Sequence, residues 1–259
     1  MRIALGIEYD GTAYNGWQRQ RTGVGVQTLV ERALTTVANE AIEVTCAGRT
    51  DKGVHASGQV VHFDTSKERG DHDWMLGANS NLPDDVSVGW VRQVDGAFHA
   101  RFSATARTYR YLILNRQARS ALYSHRAWCV HVPLDEQKMQ TAAQSLLGRH
   151  DFSAFRAAGC NAASPVREIR RISITRCADW IMIELTANAL LQHMVRNITG
   201  TLLTIGGGDK SPQWLGEVLA SGDRKRGGVA APAHGLTLIS VEYPPAFDLP
   251  KNRPERGVL

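Results

Sequence analysis

Residues Val44 to Phe63 read VTCAGRTDKGVHASGQVVHF. Val44 and Cys46 at one end, and Val60, Val61 and Phe63 at the other, have the character of strands. The connection between them carries Gly48, Gly53 and Gly58, which let a backbone turn tightly or approach a ligand closely. At its centre Asp51 sits beside Arg49 and Lys52, with Thr50 and His55 close by. Nearby cations keep a carboxylate ionised even when it is partly buried, and an ionised carboxylate can act as nucleophile or base. An Asp that caps a turn and has basic neighbours is the plainer reading of the same residues. The stretch alone leaves both open.

Charge and composition extend the reading outward. The chain has 259 residues, enough for one large domain or two moderate ones, with 43% hydrophobic and 21% charged residues, as in soluble globular proteins. No apolar run approaches a membrane span, and Met1 leads straight into strand-like alternation. The expectation is a cytoplasmic protein without a secretory or transit segment. The four cysteines, Cys46, Cys129, Cys160 and Cys177, lie far apart, which argues against a disulfide framework or zinc ribbon. The nine histidines form no HxH or HExxH pair, so no metal site is expected. Net charge is +5, unevenly spread: seven arginines fall between Arg92 and Arg126 against the single acid Asp95. A second basic stretch runs from Arg156 to Arg176. Arginine mixed with Phe98, Phe102, Tyr109 and Tyr111 suits phosphates and stacked bases, and two such stretches point toward nucleic acid. An acidic metabolite or a membrane surface stays open on composition alone.

Periodicity supplies the elements. Arg2 to Tyr9 alternates as a strand, and a polar loop with Tyr14, Trp17, Arg19 and Arg21 follows. Val26, Val30, Ala33, Leu34 and Val37 keep helical spacing up to Asn39. After the central stretch, a short helix from about Asp73 to Ser80 and a strand from Val86 to Val94 complete the order β-α-β-β-α-β. The second half repeats it. A strand from Ala106 to Asn115, extended or paired by Ala127 to Val132, precedes a helix from Asp135 to Leu147 closed by Gly148. Strands from Glu168 to Thr175 and Trp180 to Ala187 lead into a long helix from Ala189 to about Ile205. Ser211-Pro212 opens a shorter helix ended by Gly222, and the last strand runs from Leu236 to Tyr243. Gly206-Gly207-Gly208 lacks the spacing of a phosphate loop and reads as a turn. On the long helix His193 and Arg196 are expected to project from neighbouring positions. Arg196 is either a snorkelling surface residue or ion-paired, with Asp51 the nominated partner.

This order predicts an α+β fold of two tandem ferredoxin-like halves, residues 1–104 and 105–245, with a loosely ordered tail at 246–259. The sheet is expected to be mostly antiparallel, with helices on one face and the other open to form a central RNA-binding cleft.

With these motifs in view, the sequence resembles the tRNA pseudouridine synthase A family. The resemblance rests on AGRTDKGVHASGQVVHF from Ala47, IALGIEYDGTAYNGWQRQ from Ile3, FHARFSATARTYRY from Phe98, DFSAFR from Asp151, HMVRNITG from His193 and GLTLISVEY from Gly235. It implies isomerisation of uridine to pseudouridine at positions 38, 39 and 40 of the tRNA anticodon stem-loop, by a homodimer that needs no cofactor. It implies that Asp51 is the catalytic aspartate and that Arg49 assists flipping of the target base. Tyr109 would pack on the uracil, Arg196 would pair with the aspartate, and Leu238 would line the pocket. Phe98, His99, Ala100, Arg101 and Phe102 would form an RNA-contacting segment. Ala162 and Ala163 offer no side-chain hydrogen bonds where the family can carry polar contacts, so that part of the surface is not carried over.

Overall fold

Ile3, Leu5 and Ile7 alternate along the first strand because a pleated strand sends every second side chain to one face. In the computed structural model, which describes residues 1–250, all three are buried. The chain forms two compact units, Met1–Arg107 together with the chain from Leu238 on, and Thr108–Thr237.

The first unit follows β1 (Arg2–Tyr9), α1 (Val26–Ala38), β2 (Thr45–Cys46), β3 (His55–Asp64), α2 (Asp71–Asn81) and β4 (Val86–Val94). Its strands lie in the order β4-β1-β3, with β2 pairing β3 and β10 (Leu236–Glu242) also beside β3. β1 is antiparallel to both β3 and β4, with Ile3 opposite Phe63 and Leu5 opposite Val61. Phe63 meets Trp74 of α2 edge-on at 5.2 Å, and this face carries the helices. A Cβ on Gly77 of α2 would come within 2.8 Å of Val37 on α1, so the missing side chain lets the two helices approach closely.

The opposite face of this sheet is not open as the alternation suggested. Ala4, Ala47, Val60, Phe98 and Ala100 form a buried cluster there, and Tyr243, Phe247 and Leu249 pack against it. The reason is size: Ala4 and Gly6 read as gaps in an alternating pattern, yet small residues let other chain segments settle on the sheet. The expected loose tail therefore holds against the first unit through Phe247, whose ring lies 5.2 Å from Phe98. Residues 251–259, the rest of that tail, lie outside the described residues.

The second unit contains β5 (Ala106–Asn115, from Thr108 on), β6 (Trp128–Val130), α3 (Glu136–Ala143), β7 (Gly148–Asp151), β8 (Val166–Cys177), β9 (Trp180–Ala187), α4 (Met194–Gly206) and α5 (Trp214–Ser221). The order β5-β9-β8-β7 is completed by β6, which runs parallel to β5, whereas β7–β8 and β8–β9 are antiparallel. The sheets are thus mostly antiparallel and the fold is α+β. Asp135 caps α3 by accepting from the Gln137 and Lys138 amides at 3.1 and 3.0 Å. The polar face of this sheet carries half-buried Arg110, whose guanidinium donates to Glu184 at 2.8 Å, and a hydrogen bond of 2.9 Å between Thr108 and Thr186.

One helix begins later than its periodicity suggests. Residues 189–193 are irregular, and His193 takes φ 63° as the residue before α4. Asn188 Oδ1 accepts from the Ala189 amide at 2.7 Å, while Met194 N bonds to Leu191 O at 3.1 Å, so a turn replaces the first helical residues. His193 therefore precedes α4 and does not share with Arg196 the helical face that the spacing suggests. No helix among the described residues is long and apolar enough to cross a membrane.

Candidate active site

The connection between β2 and β3 is short, and its backbone is held from outside at Ala47, Gly48 and Thr50. Ala47 N donates to Val60 O at 2.8 Å. The fully buried Gln59 amide brackets Gly48, donating to its carbonyl at 2.7 Å. The Trp17 amide donates to Thr50 O at 3.0 Å, and the Tyr9 and Thr50 hydroxyls are hydrogen-bonded at 2.7 Å in a buried position. Val54 N closes the turn on Asp51 O at 3.1 Å, with Gly53 at φ +76° supplying the left-handed step.

Glycine also sets the approach of the neighbouring loop. A Cβ on Gly16 would stand 2.5 Å from Thr50 O, and one on Gly11 would stand 2.0 Å from Val54 O. These two positions admit no side chain without moving the turn. His55 Nδ1 lies 3.0 Å from the Gly11 amide and 3.1 Å from Asp10 Oδ1, so it accepts from one or donates to the other. The outcome is a half-buried Asp51 on a fixed backbone, between the exposed side chains of Arg49 and Lys52. Trp17, which the sequence places in a polar loop, is core at 1% exposure.

The segment at residues 98–102 belongs to the same unit and is built differently. Phe98 and Ala100 are fully buried. Their carbonyls accept from Arg2 Nη1 at 2.8 Å and from the Tyr243 hydroxyl at 2.6 Å. The Ala100 amide donates to His62 Nδ1 at 3.1 Å, and burial pushes the His62 pKa down to about 4, with Arg2 adding to the effect. His99 turns its Nδ1 to the Arg101 and Phe102 amides, both at 3.2 Å, and its ring lies 4.3 Å from that of Phe102. The segment then presents Arg101 and Phe102 outward: Phe102 is 75% exposed, and the Arg101 guanidinium lies 5.4 Å from its ring centre. A flat aromatic ring with a cation over it is a surface on which a base can stack.

Leu238 is fully buried on β10 in this unit as well. Tyr109 and Arg196 lie in the second unit. Tyr109 is 8% exposed on β5. Arg196, in the first turn of α4, donates from Nε to Ala231 O at 2.7 Å, while the Ala231 amide returns a bond to Arg196 O at 3.0 Å. That pairing fixes the plane of the guanidinium and leaves its terminal nitrogens at the distal end of the fork. The strap holding Ala231 is itself anchored: Tyr111 donates to Pro232 O at 2.8 Å, and the Gly228 amide donates to Thr201 Oγ1 at 3.0 Å.

Sequence reasoning missed the supports of the Asp51 turn. Tyr9 read only as the end of an alternating strand, and Thr50 only as a neighbour. Arg107 read as one more cation of the basic stretch, yet it is 8% exposed. Its position in an apolar strand, directly after Ala106, was the one available signal.

A family profile described as tRNA pseudouridine synthase matches residues 6–103 and 142–244. Three relatives share that description and span nearly all of this chain. A tRNA pseudouridine synthase A from Coxiella burnetii is 54% identical over 250 residues, covering 96% of each chain. One from Colwellia psychrerythraea is 52% identical over 253 residues, covering 98% of each. One from Vibrio campbellii is 52% identical over 251 residues, covering 97% of this chain and 95% of that one.

Proposed function

The chain belongs to the tRNA pseudouridine synthase family, and from that premise we propose that it isomerises uridine at positions 38, 39 and 40 of the tRNA anticodon stem-loop, with Asp51 as nucleophile or base. The observation that carries the assignment of Asp51 is its turn, in which glycines and the Trp17 amide fix the backbone, and the Tyr9 hydroxyl holds the Thr50 side chain, beside one half-buried acid. A surface carboxylate that only solubilised a loop would not require that fixation, whereas a reacting carboxylate must be held in place.

The chemistry asks for little else. In the conversion the bond from uracil N1 to the ribose C1′ breaks, the base turns, and C5 bonds to C1′. The proton leaving C5 is balanced by one gained at N1, so no atoms are lost. A carboxylate, cations and an aromatic platform suffice, and no redox or nucleotide cofactor is called for. Extruding the base costs a few kcal/mol, which cationic contact and stacking offset. Arg49, exposed beside Asp51, is the residue we assign to flipping. Tyr109, Arg196 and Leu238 are assigned to binding the uridine. In the segment at 98–102, Arg101 and Phe102 are assigned to RNA contact, and Phe98, His99 and Ala100 to shaping their presentation. A cytoplasmic homodimer built from two ferredoxin-like halves per chain completes the proposal.

The test is pseudouridine mapping on unmodified tRNAs with uridine at 38, 39 or 40. Product at these positions is expected, and its loss when each uridine is replaced by cytidine. Product confined to other parts of the tRNA would overturn the site assignment, and free uracil as the main product would overturn the reaction.

A further inference from the structure

Arg107 is buried, and three of its hydrogen bonds run to backbone carbonyls. Nη1 donates to Ala104 O at 3.2 Å. Nη2 donates to Ala47 O at 3.0 Å and to Arg101 O at 2.6 Å. Ala47 opens the turn that carries Arg49 and Asp51, and Arg101 lies in the segment whose Arg101 and Phe102 side chains face solvent. A single nitrogen thus joins the backbone of the reacting turn to the backbone of the exposed segment. Both attachments sit in held backbone: Ala47 N is bonded to Val60 O at 2.8 Å, and Ala100 N, next to Arg101, to His62 Nδ1 at 3.1 Å.

We propose that Arg107 is a positioning residue that couples the seating of RNA on residues 98–102 to the geometry of the Asp51 turn. The inference rests on the reading in which Asp51 does the chemistry and Arg101 and Phe102 meet RNA. A guanidinium suits the task because it is planar and its donors point in fixed directions. Pushing on the Arg101 carbonyl therefore moves or stiffens the donor that also holds Ala47. A lysine keeps the charge but loses the fork and cannot hold three carbonyls in one geometry. Misplacing a reacting group by about 1 Å costs on the order of 100-fold in rate, so a small slackening at Ala47 would be read directly in turnover.

The experiment separates binding from chemistry. Dissociation constants and single-turnover rates at saturating tRNA are measured for the wild type, Arg107→Lys, Phe102→Ala and the double variant, with thermal unfolding of each. Coupling is expected to appear as a fall of tenfold or more in the single-turnover rate of Arg107→Lys, about one factor of ten for each 1.4 kcal/mol, with tRNA affinity within about threefold. Phe102→Ala should slow the rate step in the wild-type background and have no further effect on it in Arg107→Lys. An unchanged single-turnover rate in folded Arg107→Lys, or strictly multiplicative effects in the double variant, would overturn the inference and leave Arg107 as a structural residue.

Should Arg107→Lys not fold, amide hydrogen exchange on the wild type and Phe102→Ala decides instead. Bound tRNA should slow exchange across residues 48–54 in the wild type and fail to do so in Phe102→Ala at saturation. Equal slowing in both would overturn the coupling. Failure of the underlying reading looks different: the wild type would make no product, or Asp51→Ala would make it at the wild-type rate.

Discussion

The turn at Asp51 and the segment at residues 98–102 are both clamped through their backbones, yet they offer opposite things. The turn hides its anchors, Tyr9, Thr50 and Gln59, and leaves one carboxylate half-buried. The segment hides Phe98 and Ala100 and thrusts an exposed ring and a guanidinium outward. In the proposed function, the first holds a reacting group still and the second meets the RNA. Substitutions in the turn should therefore be read in the rate at unchanged affinity, and substitutions at the tip of the segment first in the affinity, with the added slowing at saturation that coupling through Arg107 predicts.

The largest expected effect breaks the comparison if it fails. Asp51→Ala should abolish product while tRNA affinity stays near that of the wild type, measured by filter binding and pseudouridine mapping on one preparation. Phe102→Ala should weaken tRNA binding by about 1–3 kcal/mol, the worth of one stacked base, and fold normally because the ring is exposed. Competition binding at fixed salt checks this, and unchanged affinity would remove the segment from the interface. Tyr9→Phe deletes the hydroxyl that pairs with Thr50 and should cost about 1 kcal/mol of stability together with a measurable fall in the single-turnover rate at unchanged affinity. Loss of stability without loss of rate would make the clamp purely structural.

The smallest effect is in pH. His62 holds the Ala100 amide as a neutral acceptor, and its pKa is pushed from the usual 6.5 to about 4. Because the unfolded chain binds this proton more readily, the contribution is full above pH 6.5 and is lost as pH falls toward 4. Urea midpoints at pH 7 and pH 5 should converge in His62→Asn, whose Oδ1 can accept the same amide without titrating. An undiminished pH dependence would place its origin elsewhere.

Much of this was legible in the sequence, and the exceptions share a cause. The β-α-β-β-α-β order of the first unit, the start of α3 next to Asp135 and the turn at Gly207–Gly208 follow from periodicity and local chemistry, which operate over a few residues. The covered outer face of the first sheet was not legible, because Ala4 says nothing of the Phe98 and Phe247 rings that arrive from distant parts of the chain. The start of α4 was misread because Leu190 and Leu191 keep helical spacing while Asn188 and His193 divert the backbone. β7, an edge strand reading GRHD, has no apolar pattern to reveal it.

At the candidate site the tight turn around Asp51 was legible from its glycines, and its supports were not. Tyr9, Trp17 and Gly16 reach the turn from another loop and strand, so only tertiary structure joins them to Thr50. Arg107 shows the limit of composition: the same residue type in the same basic stretch serves solvent at Arg101 and backbone carbonyls at Arg107.

The most direct measurement pairs dissociation constants with single-turnover rates for Asp51→Ala and Phe102→Ala on one anticodon stem-loop tRNA. The expected result is a crossed pattern in which Asp51→Ala binds but forms no pseudouridine, whereas Phe102→Ala binds more weakly and still forms it. Product from Asp51→Ala at the wild-type rate, or unaltered binding by Phe102→Ala, would contradict the division between a turn that reacts and a segment that receives RNA.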